Sequence, residues 1–158
     1  MGIKAKLTVG FLLLSMILWA GGAMAHGSVV TLKGMEDPAK VYGEGVKLIA
    51  FQSGGHIKGL GWLLAMDSDG KKTGLVGVAR EETHHGRLVQ ATCMDLEKNI
   101  IAVVVMRVME DEQKDVEAMT RVPQWWKKGA TVKPVGAAVV LLKSVMKVKS
   151  AATEVKIP

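Results

Sequence analysis

The apolar and polar positions in the middle of the chain form two related segments, 62–82 and 90–110. When the two are aligned, Met66-Asp67 falls on Met94-Asp95. Each copy consists of an apolar run, a short polar stretch and a second apolar run, which is typical of two strands joined by a turn. The polar stretch Asp67-Ser68-Asp69-Gly70 favours a tight turn, because glycine supplies positive φ and aspartate bonds to nearby backbone. The sequence therefore predicts two antiparallel hairpins in one sheet.

The apolar run Ile100–Met109 predicts a central strand that helices cover on both faces. Residues 110–120 predict a surface helix with Val116 and Met119 turned inward. A second helix is predicted from about 134 to 149, because apolar side chains recur there at helical spacing and lysines gather toward its C-terminal end. Its predicted inward residues are Val135, Val139, Leu142 and Met146. The predicted fold class is α+β, an antiparallel sheet built from two related hairpins and packed by helices.

The first 25 residues have the features of a cleavable secretion signal. Lys4 and Lys6 precede an apolar run, and Ala23-Met24-Ala25 matches the pattern that signal peptidase recognises. The apolar run is shorter than the roughly 20 residues of a membrane-spanning helix. An uncleaved anchor is the alternative. The sequence thus predicts a signal peptide over 1–25, one domain over 26–150, a flexible tail over 151–158, and a periplasmic or secreted location.

Charge and cysteine content narrow the classes of function. The formal net charge is +6, but the basic residues are scattered and no arginine stripe interleaves with aromatic residues, which argues against nucleic-acid binding. Cys93 is the only cysteine, so no disulfide can form within the chain. Because Cys93 lies in an apolar run, we expect it to be buried.

The stretch from Trp125 to Pro134 is the strongest candidate for binding chemistry. It stands at the predicted start of the last helix, where unpaired N–H groups and partial positive charge favour a phosphate. Gly129 allows close approach of the backbone, Thr131 offers a hydroxyl, and Lys133 offers charge. The alternative is an ordinary capped helix with its lysines in solvent and its tryptophans packed on the sheet.

Three short motifs in a fixed order resemble the FMN-binding domain family. They are Asp67-Ser68-Asp69-Gly70, Glu82-Thr83-His84-His85-Gly86 and Gly129-Ala130-Thr131. This family includes the flavin-carrying subunits of Rnf-type and sodium-pumping quinone reductase complexes. The resemblance implies FMN as cofactor, electron transfer as function, and a membrane-bound redox complex as partner. It implies Glu82 and Thr83 on the ring side of the flavin, and Gly129, Ala130, Thr131 and Lys133 on the phosphate side.

Two positions depart from that family pattern. Members that hold FMN covalently have Ser or Thr two residues beyond the Gly-Ala-Thr threonine, and this chain has Lys133 there. The family's Glu-Thr-Pro-Gly turn is replaced by Glu82-Thr83-His84-His85. Because lysine cannot form the phosphoester, the sequence predicts that any bound FMN is non-covalent, with Lys133 pairing with its phosphate.

A second hypothesis concerns metal binding. Cleavage after Ala25 would leave His26 with a free α-amine, and the amine and imidazole together can chelate copper. His56, His84 and His85 are the other candidate ligands. A third hypothesis is a structural or interaction domain that has this fold without a ligand.

We expect amino-terminal sequencing of the exported protein to begin His26-Gly27-Ser28, because only Ala23 and Ala25 present small residues correctly after the apolar core. The measurement is Edman degradation or intact mass of the periplasmic product. Recovery of a membrane-bound chain that still contains residues 1–25 would contradict the cleavage.

Overall fold

The chain folds into an antiparallel sheet with the two described α-helices on one face. The computed structural model describes residues 29–30 and 37–158, so the predicted signal peptide and His26 lie outside the described residues. In chain order the elements are β1 (Val29–Val30), the 3₁₀ helix η1 (Pro38–Tyr42), β2 (Lys47–Phe51), β3 (Leu60–Met66), β4 (Lys72–Glu82), β5 (Arg87–Met94), β6 (Ile100–Met109), the 3₁₀ helix η2 (Glu110–Glu112), α1 (Gln113–Thr120) and α2 (Ala137–Ala152). The α+β prediction is confirmed.

The strand order is β1-β6-β5-β4-β3-β2. Strands β2 to β6 therefore form a meander, and β1 is the edge strand beside β6. Within the described residues, strand β1 pairs with β6 through Val29↔Met109 and Val30↔Val108. The prediction that Ile100–Met109 is the central strand, covered by helices on both faces, is wrong. Strands β4 and β5 take the centre, and Ile101 in β6 is 44% exposed. Hairpin connections place each strand beside its sequence neighbour, so the last strand of the meander lies toward an edge whatever its hydrophobicity.

The two predicted hairpins are β3–β4 and β5–β6, and their turns are built alike. Asp67 N–H donates to Lys71 O and Asp95 N–H donates to Asn99 O, both at 2.9 Å. In each turn the aspartate Oδ1 also accepts the N–H four residues on, at 2.8 Å. Although partial burial acts to raise the pKa of Asp95, hydrogen bonds from Asn99 and Glu97 and the Lys149 charge together lower it. The internal repeat in the sequence is therefore a structural repeat.

Helix α2 turns a stripe of small and apolar side chains toward the sheet. Its buried residues include Ala138, Leu141, Val145 and Val148. The predicted inward face is only partly right, because Leu142 packs against the core and Val139 is half-buried, whereas Val135 is 51% exposed and Met146 is 41% exposed. The helix begins at Ala137, after Gly136 at φ 54°, so Val135 precedes it. On α1, the predicted inward residues Val116 and Met119 are both buried, as expected.

Two features fix α2 on the sheet. A Cβ on Gly77 of β4 would overlap Val148 Cγ1 and lie 2.9 Å from Trp62 Cζ3, so the helix approaches the sheet where β4 lacks a side chain. Beside this contact, buried Gln90 of β5 donates from Nε2 to Ser144 Oγ of α2 at 3.1 Å. This hydrogen bond satisfies both polar groups away from water and sets the position of the helix along the strands.

The C-terminal residues, expected as a flexible tail over 151–158, pack at the edge of the sheet. Val155 is buried in the same cluster as Trp62 and Val148. Lys98 Nζ donates to Val155 O at 2.8 Å, and Lys156 N–H donates to Ser53 Oγ at 2.8 Å.

The face of the sheet opposite the helices carries a second apolar cluster, which contains Val76, Val78, Ala91 and Cys93. Tyr42 of η1 packs against this cluster. Its hydroxyl accepts the Met94 N–H at 2.9 Å and lies 2.8 Å from Met94 O. Burial raises the pKa of the Cys93 thiol to about 12, with a hydrogen bond to Tyr42 opposing the rise and the Asp37 charge adding to it. The predicted burial of Cys93 is confirmed.

We expect Gly77→Ala to lower the free energy of unfolding by about 1–3 kcal/mol, because the added methyl must displace Val148 or Trp62. Urea denaturation followed by circular dichroism measures the change. Gly55→Ala is the matched control, since a Cβ there has nothing within 4 Å. Equal stability of the two variants would contradict the close packing of α2 on β4.

We expect the Cys93 thiol to react with a thiol-specific reagent at pH 8 only as fast as the protein unfolds. Because its pKa is about 12 when folded and 9.0 in an ordinary thiol, the folded chain keeps a proton that the unfolded chain releases between those values. The stability contribution is therefore complete below pH 9 and is lost as the pH rises toward 12. Unfolding free energies at several pH values above 8 should fall less steeply for Cys93→Ala than for the unmodified chain. Rapid labelling of the native protein would contradict burial of the thiol.

Candidate functional site

The β4–β5 turn, Thr83–Gly86, carries the first group of predicted site residues. Thr83 N–H donates to Gly86 O at 2.8 Å and closes the turn. Gly86 has φ +155°, and a Cβ there would lie 2.8 Å from Met109 Sδ. The turn is thus pressed against the end of β6, where η2 begins.

Glu82 and its neighbour Glu81 are each in an ion pair. Glu82 Oε1 lies 3.0 Å from Arg87 Nε, across the hairpin end, and the Glu82 side chain is well exposed. Glu81 pairs with Lys147 of α2. Because successive strand residues point to opposite faces, Glu81 is directed to the helix side and Glu82 to the other. The Glu82 side chain therefore lies exposed to solvent at this end of the sheet.

Two buried oxygen atoms at this end have no hydrogen-bond partner among the described residues. They are Thr83 Oγ1 and Glu112 Oε2. The other oxygen of Glu112, Oε1, accepts the His85 N–H at 3.2 Å, and Glu112 is only 4% exposed. A buried polar group without a partner costs about 1–3 kcal/mol, so both oxygens are unfavourable in the folded chain as it stands.

The family resemblance points to Thr83, whereas neither that resemblance nor the predicted surface helix points to Glu112. A signal was present, since Glu110-Asp111-Glu112 follows directly after β6 and the internal repeat aligns Glu110 with Glu82. By itself the acidic run is typical of the polar face of a surface helix, as predicted for residues 110–120. The structure instead turns Glu112 inward, toward the β4–β5 turn.

The loop between α1 and α2 carries the second group of predicted residues. Lys127 N–H donates to Gln124 O and Ala130 N–H donates to Lys127 O, so two consecutive turns shape it. Trp125 anchors the loop in the core, and its ring meets that of Trp126 edge to face with centroids 5.6 Å apart. Gly129 has φ +88°, with nothing within 4 Å of a Cβ placed there. The exposed side chains of the anchored loop include Lys127, Lys128, Thr131 and Lys133.

The predicted C-terminal helix is confirmed, but it begins at Ala137 and not near Pro134, and this changes where an anion can bind. Gly129–Lys133 therefore lie in the loop before the helix. A Cβ on Gly136 would overlap Asp115 Oδ2, which places a carboxylate of α1 against the N-terminus of α2. This carboxylate already provides negative charge at the positive end of the helix dipole. A phosphate would therefore depend on the lysines and the loop backbone, and not on the helix N-terminus.

Both groups of predicted residues lie at the same end of the sheet. Leu88 is the second residue of β5 and follows closely after the Thr83–Gly86 turn. It belongs to the apolar cluster between the sheet and the two helices, and Val132 of the loop packs against this cluster. Trp125 and Ala137 are members of that cluster. None of the described hydrogen bonds or ion pairs joins Glu82 or Thr83 to Gly129–Lys133. The end of the sheet thus combines the Thr83–Gly86 turn, two buried oxygens without described partners and a basic loop.

The histidines do not form a metal centre within residues 37–158. His84 and His85 meet edge to face with ring centroids 4.8 Å apart, and His85 Nδ1 lies 3.9 Å from Asp111 Oδ2. In that part of the chain no group of three His, Cys, Asp or Glu side chains is placed to hold a metal ion. His26, the proposed copper ligand, lies outside the described residues.

Among the described residues, no helix has the length and hydrophobicity to cross a membrane. Comparison with protein-family models, with curated proteins and with solved structures found no match to this chain.

Proposed function

We propose that this protein is a periplasmic domain that binds FMN without a covalent bond and acts in electron transfer, alone or as an accessory to a membrane redox complex. The observation that carries the proposal is the pair of unpaired buried oxygens, Thr83 Oγ1 and Glu112 Oε2, at the end of the sheet where the basic loop also lies. Unsatisfied polar atoms in a folded protein favour a ligand that supplies the missing partners.

The ring side of the proposed site contains Glu82 and Thr83. A flavin ring has both N–H and carbonyl groups along its pyrimidine edge. The Thr83 hydroxyl can donate or accept a hydrogen bond, and the carboxylate oxygen of Glu112 can accept one. These two atoms are thus of the donor and acceptor types with which such an edge pairs.

The phosphate side of the proposed site is Gly129, Ala130, Thr131 and Lys133. Residues 121–136 include four basic side chains and no acidic one, so the local charge favours a phosphate. Lys133 is exposed and can form a charge-assisted contact, and Thr131 offers a hydroxyl. The open space around Gly129 lets a ligand approach the loop backbone.

The flavin would supply the redox chemistry, and the residues of this chain bind and orient it. Lys133 carries no hydroxyl, so these residues hold FMN by contacts alone. The Trp125 anchor keeps the lysines at a fixed end of the molecule, which limits the conformational entropy lost on binding.

We expect Lys133→Glu to weaken FMN binding at least about tenfold, because charge-assisted contacts contribute about 1.5–3 kcal/mol, and to leave riboflavin binding unchanged. Quenching of flavin fluorescence on titration measures both affinities. Lys40→Glu changes the net charge equally at an exposed lysine of η1 and should leave FMN affinity unchanged. All bound flavin should appear in the supernatant after denaturation.

Thr83→Val is designed to separate binding from folding. The variant removes a buried hydroxyl that has no partner, so its free energy of unfolding should stay equal or rise. The same change should weaken both FMN and riboflavin, because it acts on the ring side. Absence of binding of either compound at micromolar concentration would refute the flavin assignment. A variant that is destabilised while ligand affinity is unchanged would mean that the Thr83 hydroxyl has a purely structural role.

A further inference from the structure

A groove of about 610 Å³ lies where the loop 52–59 joins β2 to β3. This volume is within the range of about 300–1,000 Å³ that is typical of small-molecule sites. Besides the loop, the walls are contributed by β2, β3 and Val78 of β4. The groove therefore shares no residue with the proposed flavin site.

The walls of the groove are apolar and its rim is polar but uncharged. Phe51, Leu60 and Trp62 provide two aromatic rings and an aliphatic side chain, and Gln52, Ser53 and His56 provide hydrogen-bonding groups. No Asp, Glu, Lys or Arg contributes to the lining. A charged ligand would lose hydration here without gaining an opposite charge, which disfavours it.

The loop that forms one wall is held in place before any ligand binds. At its base Arg80 N–H donates to Gly59 O at 2.8 Å, and Leu60 N–H donates to Ile57 O at 3.1 Å. Near its other end, Ser53 Oγ accepts the Lys156 N–H at 2.8 Å. Binding to a preformed site avoids the entropy loss of ordering a loop.

The mouth of the groove is open on the side of the loop tip. A Cβ on Gly54 or Gly55 would meet nothing within 4 Å. Ile57, in the same loop, is 40% exposed, so an apolar side chain stands at the entrance.

We propose that this groove binds an uncharged, flat and mainly apolar ring compound with hydrogen-bonding groups at its edge. The partly exposed Phe51 ring in the wall favours stacked or edge-to-face contact with a flat ring, and the edge of the mostly buried Trp62 adds apolar surface. The neutral polar rim can bond to carbonyl or hydroxyl groups at the ligand's edge. The inference stands independently of flavin binding, because the groove shares no residue with the proposed flavin site.

The test uses prodan, a neutral naphthalene dye whose emission shifts to the blue in an apolar site. We expect a saturable blue shift with the unmodified protein, and competition by uncharged 2-naphthol but not by naphthalene-2-sulfonate at equal concentration. Gly55→Phe should fill part of the groove and weaken prodan at least about tenfold, since a displaced ring forfeits most of its contact area. His56→Asp should also weaken it, because it places a charge on the rim.

Matched controls are Ala118→Phe, which adds the same ring at an exposed position of α1, and Lys133→Glu, which changes only the proposed flavin site. Both should bind prodan like the unmodified chain, and Gly55→Phe should keep its FMN affinity. If Gly55→Phe does not fold, His56→Asp still decides, because His56 is exposed. An unsaturable signal, unchanged affinity in His56→Asp, or equal competition by the sulfonate would overturn the proposal.

Discussion

Helix α2 lies so close to β4 that Gly77 leaves no room for a Cβ between Val148 and Trp62. The buried Gln90–Ser144 hydrogen bond then fixes the helix along β5, because sliding the helix would leave both groups unpaired away from water. Through this packing the N-terminal end of α2 and the preceding loop are brought to the Leu88 end of the sheet. The residues that follow α2 lie near the β2 edge of the sheet, where Lys156 N–H donates to Ser53 Oγ. The basic loop and the groove wall both depend on where this helix lies.

The proposed flavin site combines a buried tryptophan, which stabilises the fold, with buried oxygen atoms that lack hydrogen-bond partners, which destabilise it. Trp125 fills the core beneath the basic loop, while Thr83 and Glu112 leave two oxygens buried without partners. A fold selected only for stability would replace such a hydroxyl with an apolar group, so the arrangement is typical of sites that trade stability for binding. Asp115 at the start of α2 has the opposite role, since it satisfies the helix dipole from within the protein.

The two hairpin turns adopt the same backbone conformation with different residues. The position with positive φ is Gly70 in the first turn and Lys98 in the second. Glycine adopts this conformation without strain, whereas lysine does so at a cost of about 1 kcal/mol. The lysine side chain compensates, because its Nζ donates to Val155 O and ties the C-terminal segment to the sheet. A residue that is unfavourable for the local turn is thus favourable for the tertiary structure.

The sequence alone determined the features that depend on local chemistry. Asp67–Gly70 and the paired apolar runs were sufficient for the two hairpins and the α+β class, because turn geometry and strand-length apolar runs are properties of neighbouring residues. The inward direction of Val116 and Met119 and the burial of Cys93 followed from the same local patterns. Tertiary structure decided the other features. It placed β6 toward an edge of the sheet and set where α2 begins and which face it buries. It also placed Asp115 at the N-terminus of α2 and buried Glu112. Each of these depends on contacts between residues distant along the chain, such as Gly77 with Val148 and His85 with Glu112, which no local periodicity encodes.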